Sequence, residues 1–168
     1  ARLDFARAVS EALKEADPKA TWIIETWSFD MDAEDVNHRW SPAQIKEYLG
    51  TVSVPHIVAD LWSEERGKYL QTENFFGHPW GFGVLHSFGA GSYLHGDVSL
   101  LLKKVRDVVN QPDGKNCRMF LLQPEIIQFN SFFYEFCAEV AWDPLRGSVE
   151  SFVERYCRKR YGASLGEK

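Results

Sequence analysis

The sequence predicts an α/β fold with parallel strands and outer helices, as found in half of a (β/α)8 barrel. Short apolar runs alternate with amphipathic segments along the 168 residues, and this alternation is typical of βα units. Polar and aromatic side chains follow the predicted strands at their carboxyl ends, where parallel sheets bind their ligands. A small doubly wound domain has the same alternation, so the pattern alone leaves both architectures open.

The first half of the chain predicts two helices and the strand between them. Apolar residues recur at helical spacing over about residues 3–16, and Pro18 follows the end of that helix. The β-rich run at 21–24 predicts a buried strand. A second helix is predicted to begin after Ser41, because Pro and Gln follow it in the pattern of a capping box, and to end at Gly50.

The later elements continue the alternation. They are predicted as strands at 54–62, 81–85 and 117–122 and as helices at 98–109, 132–140 and 149–157. Three long connections lie at 28–40, 63–79 and 87–97. Connections of that length are usually functional or contain a short helix.

Composition and charge narrow the possible functions. The net charge of -5 argues against a nucleic-acid partner, and no apolar run approaches the roughly 18 residues of a membrane span. The cysteines at 117, 137 and 157 match no metal motif, and we expect them to be small buried hydrophobes. Aromatic residues make up 14% of the chain, which suits a large core or a sugar-binding cleft. We expect Trp22 and Trp142 in the core.

Several side chains at the predicted strand ends are candidates for a site. Glu125 follows the last strand, where glycosidases place catalytic carboxylates, although its position alone is also explained by a solvated loop carboxylate or a helix cap. His86 follows the third strand and is either a sugar ligand or a satisfied, half-buried histidine. Trp27, Trp62 and Trp80 are individually expected in the core, but together they favour a carbohydrate site.

Two further patterns are weaker. Asp60 and Glu64 bracket Trp62 and are candidates for binding sugar hydroxyls or for a structural salt bridge. The glycine-containing stretch 89–92 suggests a phosphate cradle, but it lacks the lysine and hydroxyl residue of a P-loop. Ser87 beside His86 is no sign of a catalytic triad, since no nucleophile elbow surrounds it.

A family resemblance extends over most of the chain. The matching stretches, in order, are 22–29, 41–45, 58–64, 79–89, 124–130, 139–142 and 160–162. Together they resemble the catalytic barrel of the α-N-acetylglucosaminidases, glycoside hydrolase family 89, exo-glycosidases that degrade heparan sulfate in animals. The chain departs from the family pattern at Glu25-Thr26, where Gln-Gly is usual, at Phe82, where Trp is usual, and at Ser87, where Asn is usual.

The resemblance implies a retaining exo-glycosidase that removes terminal α-linked N-acetylglucosamine without a metal or cofactor. It makes Glu125 the nucleophile. The residues that it places around the sugar are Trp27, Trp62, His86, Phe82, Glu64, Gln128 and Asn130. It also implies a lysosomal or secreted enzyme, with a glycan substrate and neither a membrane nor a nucleic acid as partner.

Family members carry the general acid/base in an Asn-Glu pair upstream of the first helix, and this sequence contains no such pair. We therefore expect residues 1–162 to be the C-terminal half of a TIM-type barrel, with 163–168 a tail or the start of a helical domain. The other barrel half is then the main protein partner, and the isolated chain is expected to be inactive unless Glu25 or Glu64 takes the second role. The alternative is a non-catalytic carbohydrate-binding or structural fragment, and phosphate binding is a third hypothesis.

Overall fold

The structure is a computed structural model that describes residues 1–35, 38–86, 96–124 and 130–162. Its helices are α1 (Arg2–Ala16), α2 (Pro42–Thr51), α3 (Ser63–Arg66), α4 (Glu73–Phe76), α5 (Val98–Val109), α6 (Ser131–Trp142) and α7 (Val149–Tyr161). Its strands are β1 (Trp22–Glu25), β2 (His56–Asp60), β3 (Trp80–Val84) and β4 (Cys117–Leu122). Single 3-10 turns lie at Thr26–Ser28, Lys68–Leu70 and Gly114–Asn116. The predicted alternation of strands and helices is confirmed.

The described residues form two compact units. The first contains 1–84 and 112–121, and the second contains the described residues within 85–111 and 122–168. The four strands form one sheet in the order β1-β2-β3-β4, and the ladders between β1 and β2 and between β2 and β3 are parallel. The predicted fold class, part of a (β/α)8-type barrel with outer helices, is confirmed.

In the first unit, helix α2 shows how local sequence sets an element. The Ser41 hydroxyl accepts from the backbone N–H of Gln44, and the Gln44 side chain accepts from the backbone N–H of Ser41. Pro42 occupies the first helical position, where its missing N–H costs nothing. The predicted end at Gly50 is wrong, because the helix continues to Thr51 and ends with Val52 in an extended conformation.

The core of the first unit is aromatic. Trp80 is fully buried, stacks on Tyr69 with ring centroids 5.0 Å apart and also contacts Phe75. Phe82 is 1% exposed and stacks on Phe120. All five residues of β3 are buried, as expected of a strand covered on both faces, so Trp80 belongs to the core.

Helix α4 is a left-handed turn. Its four residues, from Glu73 to Phe76, have φ between 48° and 56°, and Gly77 follows at 86°. A left-handed residue with a side chain costs about 1–2 kcal/mol, so neighbouring contacts must hold this turn. The Thr72 hydroxyl accepts from the backbone N–H of Phe75, and the Asn74 amide donates to both carboxylate oxygens of Asp113.

The second unit is formed by helices α5, α6 and α7. The inward face of α6 carries Phe133, Phe136, Cys137 and Val140 at helical spacing, and all four are buried. Trp142 lies off that face, at the end of the helix, and is 92% exposed. The expectation that Trp142 is a core residue is therefore wrong.

Trp22 and the cysteines differ in how fully they are buried. Trp22, in the first unit, is half-buried, with edge-on contacts to Phe5 and Tyr48, so it borders the core. Cys137 is buried, whereas Cys117 and Cys157 are only half-buried, and none of the three forms a disulfide. Burial raises the pKa of the Cys117 thiol to about 11, which makes it an unreactive thiol at neutral pH.

Candidate active site

A cleft lies in the first unit, beyond the carboxyl ends of β1 and β2. It encloses about 290 Å³, and its lining includes Thr26, Trp27, Asp32, Asp60, Trp62 and Lys68. Trp27 and Trp62, two of the predicted sugar-binding residues, thus share one cavity with Asp60. This is the position at which parallel sheets bind their ligands.

The end of β1 fixes the position of Trp27. The backbone N–H of Trp27 donates to Glu25 Oε2 at 2.8 Å, and the Ser28 hydroxyl donates to Glu25 Oε1 at 2.7 Å. These bonds close the 3-10 turn and leave Trp27 51% exposed. Since each oxygen of Glu25 already accepts a hydrogen bond, this carboxylate acts as a cap for the turn that carries the indole.

Asp60 is the buried centre of the cleft. It is 1% exposed, and it accepts hydrogen bonds from the Thr26 hydroxyl at 3.2 Å and from the backbone N–H of Tyr69 at 3.1 Å. Burial raises the pKa of the Asp60 carboxyl, and hydrogen bonds from the backbone N–H groups of Tyr69 and Lys68 oppose that shift. Asp60 therefore connects the end of β1 to the segment that carries Lys68.

A second hydrogen-bond chain joins β2 to β3 at the same end of the sheet. The Ser63 hydroxyl donates to the backbone oxygen of Asp60 at 2.9 Å and accepts from the backbone N–H of Gly83 at 3.2 Å. A Cβ at Gly83 would lie 2.3 Å from that same Asp60 oxygen. Only glycine allows the two strands to approach this closely.

Charged side chains form the polar part of the lining. The Lys68 ammonium donates to Asp32 Oδ2 at 2.6 Å, and the Arg66 guanidinium lies 5.0 Å from the centre of the Trp62 ring. Sequence reasoning missed all three charged residues. They lie in the long connections 28–40 and 63–79, where periodicity is weak and length was the only functional signal.

The other predicted site residues lie in varied surroundings. In the first unit, Phe82 belongs to the core and Glu64, in α3, is 7% exposed. In the second unit, His86 is 5% exposed and stacks on Phe133 with ring centroids 3.9 Å apart. Asn130 caps α6 by accepting from the backbone N–H of Phe133.

Several predictions fall outside the described residues. These are the predicted nucleophile Glu125, the predicted sugar contact Gln128, the departure at Ser87 and the glycine-containing stretch 89–92. Within the parts of the chain that the structure describes, no cluster of three or more His, Cys, Asp or Glu side chains is arranged to hold a metal ion. Over the same residues, no helix is both long and apolar enough to cross a membrane.

Comparisons with known proteins identify the family to which the chain belongs. Residues 3–144 match the alpha-N-acetylglucosaminidase TIM-barrel domain family. The chain is 30% identical over 168 residues to human alpha-N-acetylglucosaminidase, an alignment that covers 94% of the chain and 21% of the human protein. The chain thus spans about a fifth of the length of this relative.

Solved structures show the same fold. The chain resembles the family 89 glycoside hydrolase from Clostridium perfringens, with a TM-score of 0.73 and 21% identity over 96% of this chain and 17% of that one. One of these structures holds the substrate GlcNAc-alpha-1,4-galactose, and another holds PUGNAc. At this level of identity, the likeness concerns the fold.

Proposed function

The chain belongs to the alpha-N-acetylglucosaminidase family, and we propose that it is the nucleophile-bearing part of a retaining exo-glycosidase that removes terminal α-linked N-acetylglucosamine. One observation carries the proposal: Trp27 and Trp62 line a single cleft at the carboxyl ends of parallel strands, around the buried carboxylate of Asp60. Indole faces stack on the apolar face of a pyranose ring, and the charged side chains of the same cleft bind its hydroxyls.

The proposed chemistry needs two carboxyl groups about 5–5.5 Å apart. Glu125 attacks the anomeric carbon and forms a covalent glycosyl-enzyme, which water then hydrolyses. An acid/base from elsewhere in the polypeptide protonates the leaving oxygen and later activates that water. The engagement of both Glu25 oxygens in the cap supports a donor from outside this chain. Glu64, His86, Gln128 and Asn130 stay proposed sugar contacts on the family resemblance, whereas Phe82 packs in the core and is not among them.

The proposed biological setting follows from the family. The substrate class is a glycan of the heparan-sulfate type, in a lysosomal or secreted compartment. The protein partner is the other half of the barrel, contributed by the same polypeptide. The four-stranded sheet supplies half of the eight strands that a barrel needs. The chain spans only 21% of its human relative, so the other strands can come from the rest of such a polypeptide.

Substitution of the nucleophile tests the mechanism in the full-length polypeptide that contains this chain. We expect Glu125→Gln to lower kcat on an aryl α-N-acetylglucosaminide by several orders of magnitude without loss of folding. Azide should restore turnover to Glu125→Ala by replacing the missing nucleophile, and a 2-fluoro glycoside should label Glu125. Glu135→Gln, on the exposed surface of α6, is the matched control and should leave kcat unchanged.

Two outcomes would contradict the mechanism. Labelling of a carboxylate other than Glu125 would assign the nucleophile elsewhere. A full-length protein that binds the glycoside without hydrolysing it would support the alternative, a non-catalytic carbohydrate-binding protein. Trp27→Ala tests the sugar site independently of the hydrolysis. Loss of the stacking face should weaken glycoside binding about tenfold, whether or not the protein hydrolyses the glycoside.

A further inference from the structure

The Asp32–Lys68 ion pair is a polar element of the cleft, and it lies outside the stretches of family resemblance. The two residues come from different connections, 36 positions apart in the sequence, and both line the cavity that contains Trp27 and Trp62. The Lys68 side chain is only 14% exposed, whereas that of Asp32 is 69% exposed. The ammonium is therefore held by a packed stem, and the carboxylate remains accessible from solvent.

The pair retains unused hydrogen-bonding capacity. An ammonium has three donors, and Asp32 takes one of them at 2.6 Å. Within the described residues, no other side chain or carbonyl accepts from the Lys68 ammonium. The Asp32 carboxylate can accept about four hydrogen bonds, so the pair offers both donors and acceptors to a ligand in the cleft. Adjacent hydroxyls of a sugar ring require this combination.

The pair and the proposed stacking surface share one anchor. Backbone N–H groups of Lys68 and Tyr69 donate to the Asp60 carboxylate, which also accepts from the hydroxyl of Thr26, the residue before Trp27. The hydrogen bond and the charge of Lys68 also hold the pKa of the Asp32 carboxyl below its ordinary value. The carboxylate therefore remains an acceptor in mildly acidic solution.

We propose that the Asp32–Lys68 pair binds hydroxyls of the sugar ring that occupies this cleft and determines which ring configuration is accepted. The proposal rests on the proposed function of the cleft as a sugar site. A cavity of about 290 Å³ lies at the lower limit of ligand pockets, so the pair contacts a single ring. Hydrogen bonds to charged groups are among the strongest that a binding site offers.

A purely structural pair makes a different prediction. If Asp32 and Lys68 only join the two connections, removal of the ammonium should weaken the binding of every sugar to the same extent. A pair that contacts hydroxyls discriminates between epimers, because an epimer moves one hydroxyl away from it. The ratio of affinities for two epimers therefore separates these roles, while the affinity for a single sugar does not.

The test titrates the full-length polypeptide that contains this chain with methyl α-glycosides of N-acetylglucosamine, N-acetylgalactosamine, glucose and galactose, followed by calorimetry. Lys68→Met keeps the apolar stem and removes the ammonium. We expect it to weaken binding of the preferred sugar about tenfold to a hundredfold and to bring the epimer ratio close to one. Lys103→Met removes a lysine from an exposed ion pair on α5, and it should change neither quantity.

The outcomes separate this proposal from the proposed function. If Lys68→Met binds with an unchanged epimer ratio, the role of the pair is overturned and the sugar site remains. If the full-length polypeptide prefers a sugar other than N-acetylglucosamine while Lys68→Met still abolishes that preference, the proposed substrate is wrong and the pair is supported. Failure of the unsubstituted full-length polypeptide to bind any of the four glycosides overturns both proposals.

Discussion

The two ends of the parallel strands in the first unit are held together by different interactions. At the carboxyl ends, Thr26, Asp60 and Ser63 form a buried network of hydrogen bonds, and Trp27 is left half exposed to solvent. At the amino ends, Trp80 is fully buried among other rings, and His56 contacts the carbonyl oxygen of Val54 and the ring of His78 through its two ring nitrogens.

This difference separates stability from recognition. A buried carboxylate pays a desolvation cost that its hydrogen bonds only partly offset, so Asp60 contributes precise geometry more than stability. Apolar burial at the amino ends stabilises the unit and positions nothing for a ligand. Substitutions at the amino ends should therefore change the free energy of unfolding, and those at the carboxyl ends should change sugar affinity as well.

The largest expected effect is at the amino end of β3. Trp80→Ala removes a fully buried indole and should lower the free energy of unfolding by about 3–5 kcal/mol, measured by urea denaturation. Trp80→Phe should cost much less, because no acceptor for the indole N–H lies among the described residues. Trp142→Ala, at a position that is 92% exposed, is the control and should cost less than about 0.5 kcal/mol. Equal losses at the two tryptophans would contradict the assigned core.

The next effect is at the carboxyl end of β2. Asp60→Asn places an amide group among hydrogen-bond donors and should destabilise the unit by about 2 kcal/mol. Sugar affinity should also fall, because the amide keeps only one acceptor oxygen, so that either Thr26 or the segment of Lys68 and Tyr69 loses its acceptor. Asn74→Ala, which breaks the half-buried hydrogen bonds to both carboxylate oxygens of Asp113, is the matched control and should lower stability without changing affinity. If the Asp60→Asn variant binds sugar normally, the claim that the carboxyl ends of the strands determine sugar affinity is contradicted.

Most of the fold could be predicted because it follows from hydrophobic pattern and capping. Cys117–Leu122 is the strand expected at those residues, and the capping box at Ser41 is present. The connection 63–79 contains short helices, as its length suggested. Helix α4 could not be predicted, since left-handed geometry at Glu73 and Phe76 arises from the contacts of Thr72 and Asn74 rather than from the residue types themselves.

The candidate site was less predictable than the fold. Trp27 and Trp62 could be found because they follow strands, and strand ends are visible in the sequence. Asp32 and Lys68 meet only when two connections fold against each other, 36 residues apart, and no local pattern indicates such a meeting. The prediction that Trp142 is a core residue failed for a similar reason: a single aromatic residue at the end of a helix does not indicate which face of the helix it occupies.

A smaller effect concerns the histidine pair at the amino ends. His56 Nδ1 lies 3.0 Å from the carbonyl oxygen of Val54, so it carries a proton, and His56 Nε2 accepts from His78 Nδ1 at 3.0 Å. Burial, followed by the charge of His56, lowers the pKa of His78. As the pH falls below 6.5, the ordinary pKa of a histidine, His78 therefore binds a proton in the unfolded chain before it does so in the folded chain. The free energy of unfolding decreases as the pH falls from 6.5 towards the lowered pKa of folded His78.

His78→Gln tests this link. Because the variant loses the hydrogen bond to His56, its free energy of unfolding at pH 7.5 should be lower by about 1 kcal/mol. Its free energy of unfolding should also depend less on pH between 7.5 and 5.5. His38→Gln, at an exposed histidine, should retain the contribution of His78 to that dependence. A parallel decline of His78→Gln and the unsubstituted chain over the same pH range would rule out the proposed titration. Sugar affinity should be unchanged.

The smallest effect should be a gain in stability, at a position where glycine normally costs stability. Glu73 has φ of 48°, and a left-handed residue with a side chain costs about 1–2 kcal/mol. Glycine avoids that cost but loses about 0.5–1 kcal/mol more conformational entropy on folding. Because the Glu73 side chain is exposed, Glu73→Gly should stabilise the chain by about 0.5 kcal/mol, whereas Glu73→Ala keeps the backbone strain and should gain nothing. A loss of about 1 kcal/mol, as for glycine in a right-handed helix, would contradict the left-handed turn. Sugar affinity should be unchanged in both variants. That result would show that the backbone strain at Glu73 does not affect the hydrogen-bond network of Thr26, Asp60 and Ser63 beside the cleft.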